Sequence, residues 1–246
     1  MGENFVRGPR DTRASTLPKT HMSNFLEERI SGKLVRLGQQ SVCASLTVRV
    51  VCAHDLKVAV HPLVRQHFVG KGEQQFPEDM KYRSKAVCLF QKLDGIDVCL
   101  FSMFVQEYGD ECAPPSQRCV YIAYIDSVAY FRPRKVRTVV YHELVAAYME
   151  YVRRRGFNTA HIWSSPPQRG NTYIFWCHPP HQRTPGKERL CAWYHSLLDR
   201  ALAEHKIVGV TKMYVAHVRL QHPSSLSHPL VRDFLCFTGL KGIFKA

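Results

Sequence analysis

Three stretches of the chain repeat apolar residues at the three- and four-residue spacing that is typical of an amphipathic helix. The first covers 23–38 and starts at Ser23, a candidate N-cap. The second covers 136–156, where Gly156 supplies a C-terminal stop, and the third covers 188–206. The apolar stripes are Leu26, Ile30, Leu34 and Leu37; Val136, Val140, Leu144, Tyr148 and Tyr151; and Leu190, Trp193, Tyr194, Leu197, Leu198, Ala201 and Leu202.

Runs of β-branched and aromatic residues predict strands between and after these helices. Residues 46–53 alternate as a strand, and 86–109 hold two strand-like runs around Asp94-Gly95, a dipeptide suited to a tight hairpin turn. Residues 120–131 are too continuously apolar for an edge and predict a central strand. Two shorter strands are predicted at 160–165 and 172–178. The pattern after residue 207 allows no assignment.

This order of elements predicts the fold class. A β-rich first half followed by helices and strands in turn indicates an α/β fold with a single mixed central sheet wrapped by helices. Residues 1–20 are polar and aperiodic, and we interpret them as a flexible lead-in.

Charge and cysteine content narrow the classes of partner. The chain has 34 Lys and Arg against 20 Asp and Glu, a formal charge of +14, which favours an anionic partner: a phosphate-bearing cofactor, nucleic acid or a membrane surface. A solvated basic surface is the alternative. Nine cysteines without a CxxC pair give no support to a zinc ribbon or disulfide framework and fit a reducing compartment. No window reaches the roughly 18 apolar residues of a membrane span, and no signal peptide is visible.

The segment that follows the predicted central strand is the first candidate for chemistry. Several basic residues lead from Ser127 into a helix whose first turn holds Arg137 and Thr138. Unpaired N–H groups at a helix N-terminus stabilise phosphate, and a guanidinium adds further donors. A solvated basic loop remains the alternative. The chain contains neither GxxxxGK[ST] nor GxGxxG, which disfavours ATP or a dinucleotide.

Two further groups of residues have both a structural and a chemical interpretation. Cys177, His178 and His181 could ligate zinc, but no fourth ligand falls at finger spacing, so we predict no metal and expect hydrogen-bonded or exposed histidines. Trp193 and Tyr194 lie on an apolar stripe, where a core role is the default. A tyrosine hydroxyl could also protonate a departing thiolate.

A long run of the sequence, YIAYIDSVAYFRPRKVRTVVYHELVAAYMEYVRRRGFNTAHIWSSPPQRGNTYIFWCHPPHQRTPGKERLCAWY, resembles the acetyltransferase domain of the CREB-binding-protein family of histone acetyltransferases. LPKTHMSNFLEERI and FPEDMKYRSKAV resemble it too. The resemblance implies an acetyltransferase-like core over 21–208, with 209–246 as a divergent basic segment in which the C-terminal part of the family domain is missing or altered. It also implies that acetyl-coenzyme A binds between the sheet and the loop CHPPHQRTPGKERL.

The resemblance assigns roles to particular residues of this chain. Tyr194 would be the general acid, and Trp163 would shape the acetyl end of the site and the lysine tunnel. Tyr124 and Ser84 would lie near the lysine entrance. The implied coenzyme-binding residues are Ile125, Asp126, Ser127, Arg137, Thr138, Trp163, Ser165, Arg189 and Trp193. At Ser165 the family usually has a cysteine.

The function implied is transfer of acetyl from acetyl-coenzyme A to lysine side chains, as in nuclear transcriptional coactivators, with no metal. Histone tails and other lysine-containing proteins would be substrates, transcription factors and chromatin further partners, and membranes no partner. A catalytically impaired coenzyme-A-binding fragment and a basic chromatin-binding module are the alternatives.

Overall fold

A computed structural model describes residues 13–69, 76–163, 174–176, 178–212 and 239–243. Within these residues the helices are a 3-10 turn η1 (Ala14–Thr16), α1 (His21–Arg36), α2 (Gln40–Cys43), α3 (Pro62–Val69), a 3-10 turn η2 (Arg134–Val136), α4 (Arg137–Arg154) and α5 (Lys187–Ala203). None of these described helices is long and apolar enough to cross a membrane.

The described strands form one sheet of seven strands in the order β1-β2-β3-β4-β5-β7-β6. Neighbours are antiparallel except β4 and β5, which are parallel. The strands are β1 (Leu46–Ala59), β2 (Asp79–Leu93), β3 (Ile96–Tyr108), β4 (Cys119–Ser127), β5 (Thr159–Trp163), β6 (Gly209–Lys212) and β7 (Gly239–Ile243). The predicted mixed sheet with helices is confirmed.

The hairpin between β2 and β3 turns where the sequence predicted it. Asp94 and Gly95 both have positive φ angles, 50° and 85°. A two-residue turn with positive φ at both positions matches the right-handed twist of the flanking strands. Strand β4 is central, as predicted, but it ends at Ser127, before the predicted limit of residue 131.

Helix α1 starts earlier than predicted. Its N-cap is Thr20, whose hydroxyl accepts from the Ser23 amide, while the Ser23 hydroxyl accepts from the Thr20 amide. The prediction of Ser23 as N-cap was therefore wrong. Ser23 is the third residue of the helix and forms a reciprocal capping box with the N-cap, Thr20. The predicted stripe is confirmed at Leu26, Ile30 and Leu34, which are buried, whereas Leu37 is exposed.

Helix α4 is the centre of the core. Every residue from Val140 to Glu150 is buried, because the sheet, α1 and α5 together surround it. The predicted stripe is part of this surface, but so are three polar residues that a one-sided amphipathic helix would expose: His142, Glu143 and Glu150. Burial of these three polar groups costs stability unless a partner or the loss of charge offsets it.

The later strand predictions have mixed outcomes. The strand predicted at 160–165 is present as β5 up to Trp163, and its last two residues lie outside the described part. The strand predicted at 172–178 is wrong for 174–176, which form a bend, and its other residues apart from His178 are not described. Strands β6 and β7 extend the sheet with residues that we left unassigned from the sequence pattern.

Candidate active site

In the described structure the parallel strands β4 and β5 pair along the first part of β4. Their pairing stops at Ile122 opposite Ile162, although β4 continues to Ser127. Along 124–127 the described strands pair β4 with β3 alone. Ligands of open α/β sheets bind where parallel strands end, since backbone groups there are not used by the sheet.

The N-terminus of α4 lies shortly after β4 in the chain and lacks the usual caps. Its N-cap residue, Val136, has no side-chain acceptor, and the first turn contains no acidic residue. Arg137 is half-buried and Thr138 is exposed at this end. The ion pairs of the described residues do not include Arg137. The Arg137 amide donates to the Arg134 carbonyl of η2, but the helix dipole and the Arg137 guanidinium, which has no ion-pair partner among the described residues, together favour an anion here.

Helix α5 brings Trp193 and Tyr194 against α4. The Trp193 and Tyr194 rings are perpendicular, with centroids 5.0 Å apart, and the His142 ring lies 4.5 Å from Trp193. His142 follows Thr138 by four residues, so both lie on the same face of α4. The start of α4 is therefore about one helical turn from the contact between His142 and Trp193 of α5.

Burial keeps both titratable rings of this interface neutral. Tyr194 is 6% exposed, and burial raises the pKa of its hydroxyl above the ordinary value, so it stays protonated at neutral pH. His142 is 1% exposed; burial, with a smaller contribution from Arg200, lowers its pKa to about 4. Neither ring nitrogen of His142 has a hydrogen-bond partner among the described residues.

Asp126 is surrounded by hydrogen-bond donors. Its Oδ1 accepts from the Ser127 amide at 2.8 Å and pairs with Nε2 of His178 at 2.8 Å. Its Oδ2 accepts from the amides of Ile174 and Phe175 at 3.2 and 3.1 Å. Because the carboxylate already has four donors, its negative charge is balanced within the protein.

Gln182 makes a second connection to the same strand end. Its Nε2 donates to the Ser127 carbonyl, and its Oε1 accepts from the Ala129 amide, both at 2.8 Å. The amide thus pairs with the backbone on both of its polar atoms. Residues 178–186, which we call the proline loop, are held against the end of β4 by this pair and by His178.

Ser84 and Tyr124 lie on one face of the sheet. Ser84 pairs with Gln106 and Tyr124 with Phe104, two residues of β3 that point to the same side. Tyr124 is exposed and Ser84 is half-buried. Ile125 points to the opposite face and packs against the main core, which leaves its backbone as the part available to a ligand.

The structure thus brings together part of the predicted set. Trp193 and Tyr194 lie at the α4–α5 interface, Arg137 and Thr138 lie at the start of α4, and Arg189 is exposed on the first turn of α5. The backbone of Trp163 ends β5; its side chain and all of Ser165 lie outside the described part. The sequence analysis missed the buried His142. It lies between Tyr141 and Glu143, and no local pattern marks it as buried.

The histidine expectations agree with the described part of the structure. His178 is hydrogen-bonded to Asp126, and His181 is exposed, with its ring 6.4 Å from that of Tyr130. Among the described residues no group of three or more His, Cys, Asp or Glu side chains is placed to hold a metal. Cys177 lies outside those residues.

The end of β4 beyond its described pairing with β5, the start of α4 without a side-chain cap and the buried Tyr194 define the class of site: a candidate site for an anionic ligand. Comparison with known proteins identifies the family. The sequence model described as "Histone acetyltransferase domain KAT3" matches residues 34–228. The chain belongs to this family of histone acetyltransferase domains.

Individual relatives agree with the family match. Over 233 residues the chain is 41% identical to "Probable histone acetyltransferase HAC-like 2" of Oryza sativa subsp. japonica, covering 87% of this chain and 16% of the relative. It is 42% identical over 202 residues to "Protein cbp-1" of Caenorhabditis elegans, covering 82% and 10%. "Histone acetyltransferase HAC2" of Arabidopsis thaliana is 40% identical over 223 residues, covering 83% and 16%. The chain spans less than a fifth of the length of each of these relatives.

Proposed function

We propose that this chain transfers the acetyl group of acetyl-coenzyme A to lysine side chains of proteins, histones among them. The observation that carries the proposal is the α4–α5 interface of a KAT3-family chain. In it the buried Tyr194 of α5 lies beside Trp193, which packs against His142 of α4, and α4 begins at Arg137 without a side-chain cap. A site of this kind combines phosphate binding with a neutral proton donor.

The residues at this site fit the coenzyme. Arg137 and Thr138 would hold its phosphates, and the exposed Arg189 would add a second positive charge. The β4 backbone along 124–127, which β5 does not pair with, would bind the amides of the pantetheine arm. Trp193 would pack beside that arm, and Trp163 and Ser165 would lie nearer the acetyl group.

The reaction needs few ionisable protein groups. The coenzyme supplies an activated acetyl thioester. A neutral lysine amine forms the new N–C bond as the C–S bond breaks, and the Tyr194 hydroxyl donates its proton toward the departing sulfur. The proton released from the nitrogen restores the hydroxyl by way of solvent. The buried Tyr194 is available for this role because burial raises its pKa and keeps the hydroxyl protonated at neutral pH.

The lysine would enter near Tyr124, which is exposed at the end of β4, with Ser84 on the same face of the sheet. Lysine-rich protein segments, histone tails in particular, are the proposed substrates, with transcription factors and chromatin as partners in the nucleus. A neutral amine is required, so the enzyme would act chiefly by orienting the two substrates.

An acetyl-transfer assay with labelled acetyl-coenzyme A and histone-tail peptides tests the proposal, with calorimetric binding of the coenzyme measured in parallel. We expect both saturable binding and time-dependent labelling of lysine. Binding without labelling would contradict the catalytic proposal and support an impaired coenzyme-binding fragment. Salt-sensitive DNA binding with neither activity would support a basic chromatin-binding module.

A further inference from the structure

The carboxylate of Asp126 holds two distant segments together. Its four donors are the Ser127 amide, the Ile174 and Phe175 amides, and His178, the last three of which lie 48 to 52 residues away. Phe175 also packs against the main core and lies 6.4 Å, ring to ring, from His178. The described part of segment 174–178 is therefore fixed by backbone, side-chain and apolar contacts at once.

We propose that Asp126, His178 and Gln182, the clamp residues, lock the proline loop onto the end of β4 before coenzyme binds. Asp126 is then a positioning residue, and its carboxylate makes no contact with the coenzyme. The inference rests on the proposed function, in which the proline loop forms one wall of the coenzyme site.

The charge of Asp126 supports this role over direct coenzyme binding. A carboxylate facing a phosphate-bearing ligand would repel it, whereas here four donors surround the two oxygens. The geometry also demands a carboxylate. Both oxygens accept, and an asparagine would turn an NH₂ group toward donors on one side.

Preorganisation gives the clamp its effect on affinity. A loop that is already ordered loses little conformational entropy when a ligand binds, so the ligand binds more tightly than it would to a mobile loop. Breaking the clamp should weaken coenzyme binding while leaving the reaction of the fully bound enzyme unchanged, because saturating coenzyme reorders the loop.

The test compares Asp126→Asn with the parent chain, free of coenzyme, by hydrogen exchange of peptides that cover 174–182. We expect slow exchange in the parent and exchange faster by roughly tenfold or more in the variant. The Kd and KM for acetyl-coenzyme A should rise about 10- to 100-fold, the value of one or two hydrogen bonds to a charged group, with kcat within a few-fold of the parent. Asp55→Asn, at an exposed carboxylate 3.8 Å from Arg83, is the matched control and should change neither quantity.

His178→Ala is a milder variant in case Asp126→Asn folds poorly. It removes one member of the clamp and should shift exchange and Kd in the same direction by a smaller amount. In the double variant that carries both Asp126→Asn and His178→Ala, the change in binding free energy should be smaller than the sum of the changes in the two single variants. Both residues act through one hydrogen bond, so the second substitution has less left to remove. Full additivity would contradict a shared clamp.

Three results would overturn the inference. Fast exchange of 174–182 in the coenzyme-free parent would show that the clamp is open before binding. Faster exchange in Asp126→Asn with unchanged Kd would show that the loop does not serve the coenzyme, and weakened binding with unchanged exchange would place Asp126 in direct contact with it. If the parent chain binds no acetyl-coenzyme A, the proposed function fails together with the coenzyme part of this inference. If the parent binds the coenzyme and any of the three results is found, only the clamp inference fails.

Discussion

His142 and Glu143 are consecutive residues of α4, almost equally buried at 1% and 2% exposure, and the fold treats them in opposite ways. Glu143 pairs through Oε1 with Lys206 at 2.6 Å. His142 is held neutral by burial and has no described hydrogen-bond partner. On the face of α4 that carries Glu143, the paired face, an ion pair offsets the cost of burying a polar group. On the adjacent face, which carries His142 and which we call the unpaired face, the buried group is neutral instead.

The paired face continues into a network that joins three elements. Lys206 also contacts Glu204 at 2.7 Å, and Glu204 in turn binds Lys33 of α1. Burial alone would raise the pKa of Glu204, but Lys206 and Lys33 lower it to about 2. Two turns along α4 from Glu143, Glu150 accepts from Arg29 and Arg154 at 2.7 and 2.6 Å. Each of these charged groups has an ion-pair partner of opposite charge, which fits a structural role, although Glu143 Oε2 and Arg29 Nε have no hydrogen-bond partner among the described residues.

The unpaired face holds the groups to which we assign function. Arg137, Thr138, His142, Trp193 and Tyr194 make few polar contacts with the described protein, which leaves their donors available. Unpaired polar groups of this kind cost stability and concentrate at functional sites. The comparison predicts that substitutions on the two faces have separable effects, on activity at one and on stability at the other.

Tyr194→Phe should have the largest effect on the unpaired face. It keeps the ring and its contact with Trp193 but removes the proton, so kcat should fall on the order of 10²- to 10⁴-fold while coenzyme binding and folding persist. Because no described residue hydrogen-bonds to the hydroxyl, stability should change little. Steady-state acetylation and urea unfolding measure the two effects, and turnover within a few-fold of the parent would exclude Tyr194 as the acid.

Lys206→Met should show the opposite profile on the paired face. Removing one partner of a buried pair leaves the charge of Glu143 uncompensated, at a cost of roughly 3 to 5 kcal/mol in the free energy of unfolding. Coenzyme affinity of the folded protein should stay near that of the parent. The matched control is Lys57→Met, at an exposed pair with Asp79, which should leave unfolding unchanged within error. Equal losses in both variants would contradict the assignment.

Arg137→Ala should weaken coenzyme binding about 10- to 100-fold, the loss of a charged hydrogen bond to phosphate. The loss should shrink for analogues that retain only the pantetheine arm, because they lack the phosphates. The matched control is Arg36→Ala, which removes an exposed arginine from the last turn of α1 and should leave coenzyme affinity unchanged. Calorimetric titration measures each affinity, and an equal loss for all analogues would refute a phosphate contact.

His142→Phe should have the smallest effect and a distinctive pH dependence. The folded pKa of about 4 lies below the unfolded 6.5, so the unfolded chain binds more protons between these values, and parent stability should fall as pH drops from about 6.5 to 4. The variant lacks this titration, so its stability should decline less over that window, and at pH 7 it should change by less than about 1.5 kcal/mol. Parallel stability curves for both proteins would contradict a neutral buried His142.

Hydrophobic periodicity and turn chemistry anticipated the elements of this fold because both act over a few residues. The stripe of α4, the Asp94-Gly95 turn and the position of Arg137 at a helix start all follow from neighbours in the sequence. The same local logic misplaced the α1 N-cap, since Thr20 and Ser23 are both good capping residues and only their reciprocal hydrogen bonds distinguish them.

By itself, then, the sequence determined helices α1, α4 and α5, the central strand, the hairpin and, through its family motifs, the residues of a candidate acetyltransferase site. Only the tertiary structure decided what those residues contact. Asp126 and His178 are 52 positions apart, and no periodicity reports a pairing across that distance. The opposite states of His142 and Glu143 likewise depend on α5 and Lys206, because the charge of a buried group is set by the partners and dielectric that packing places around it.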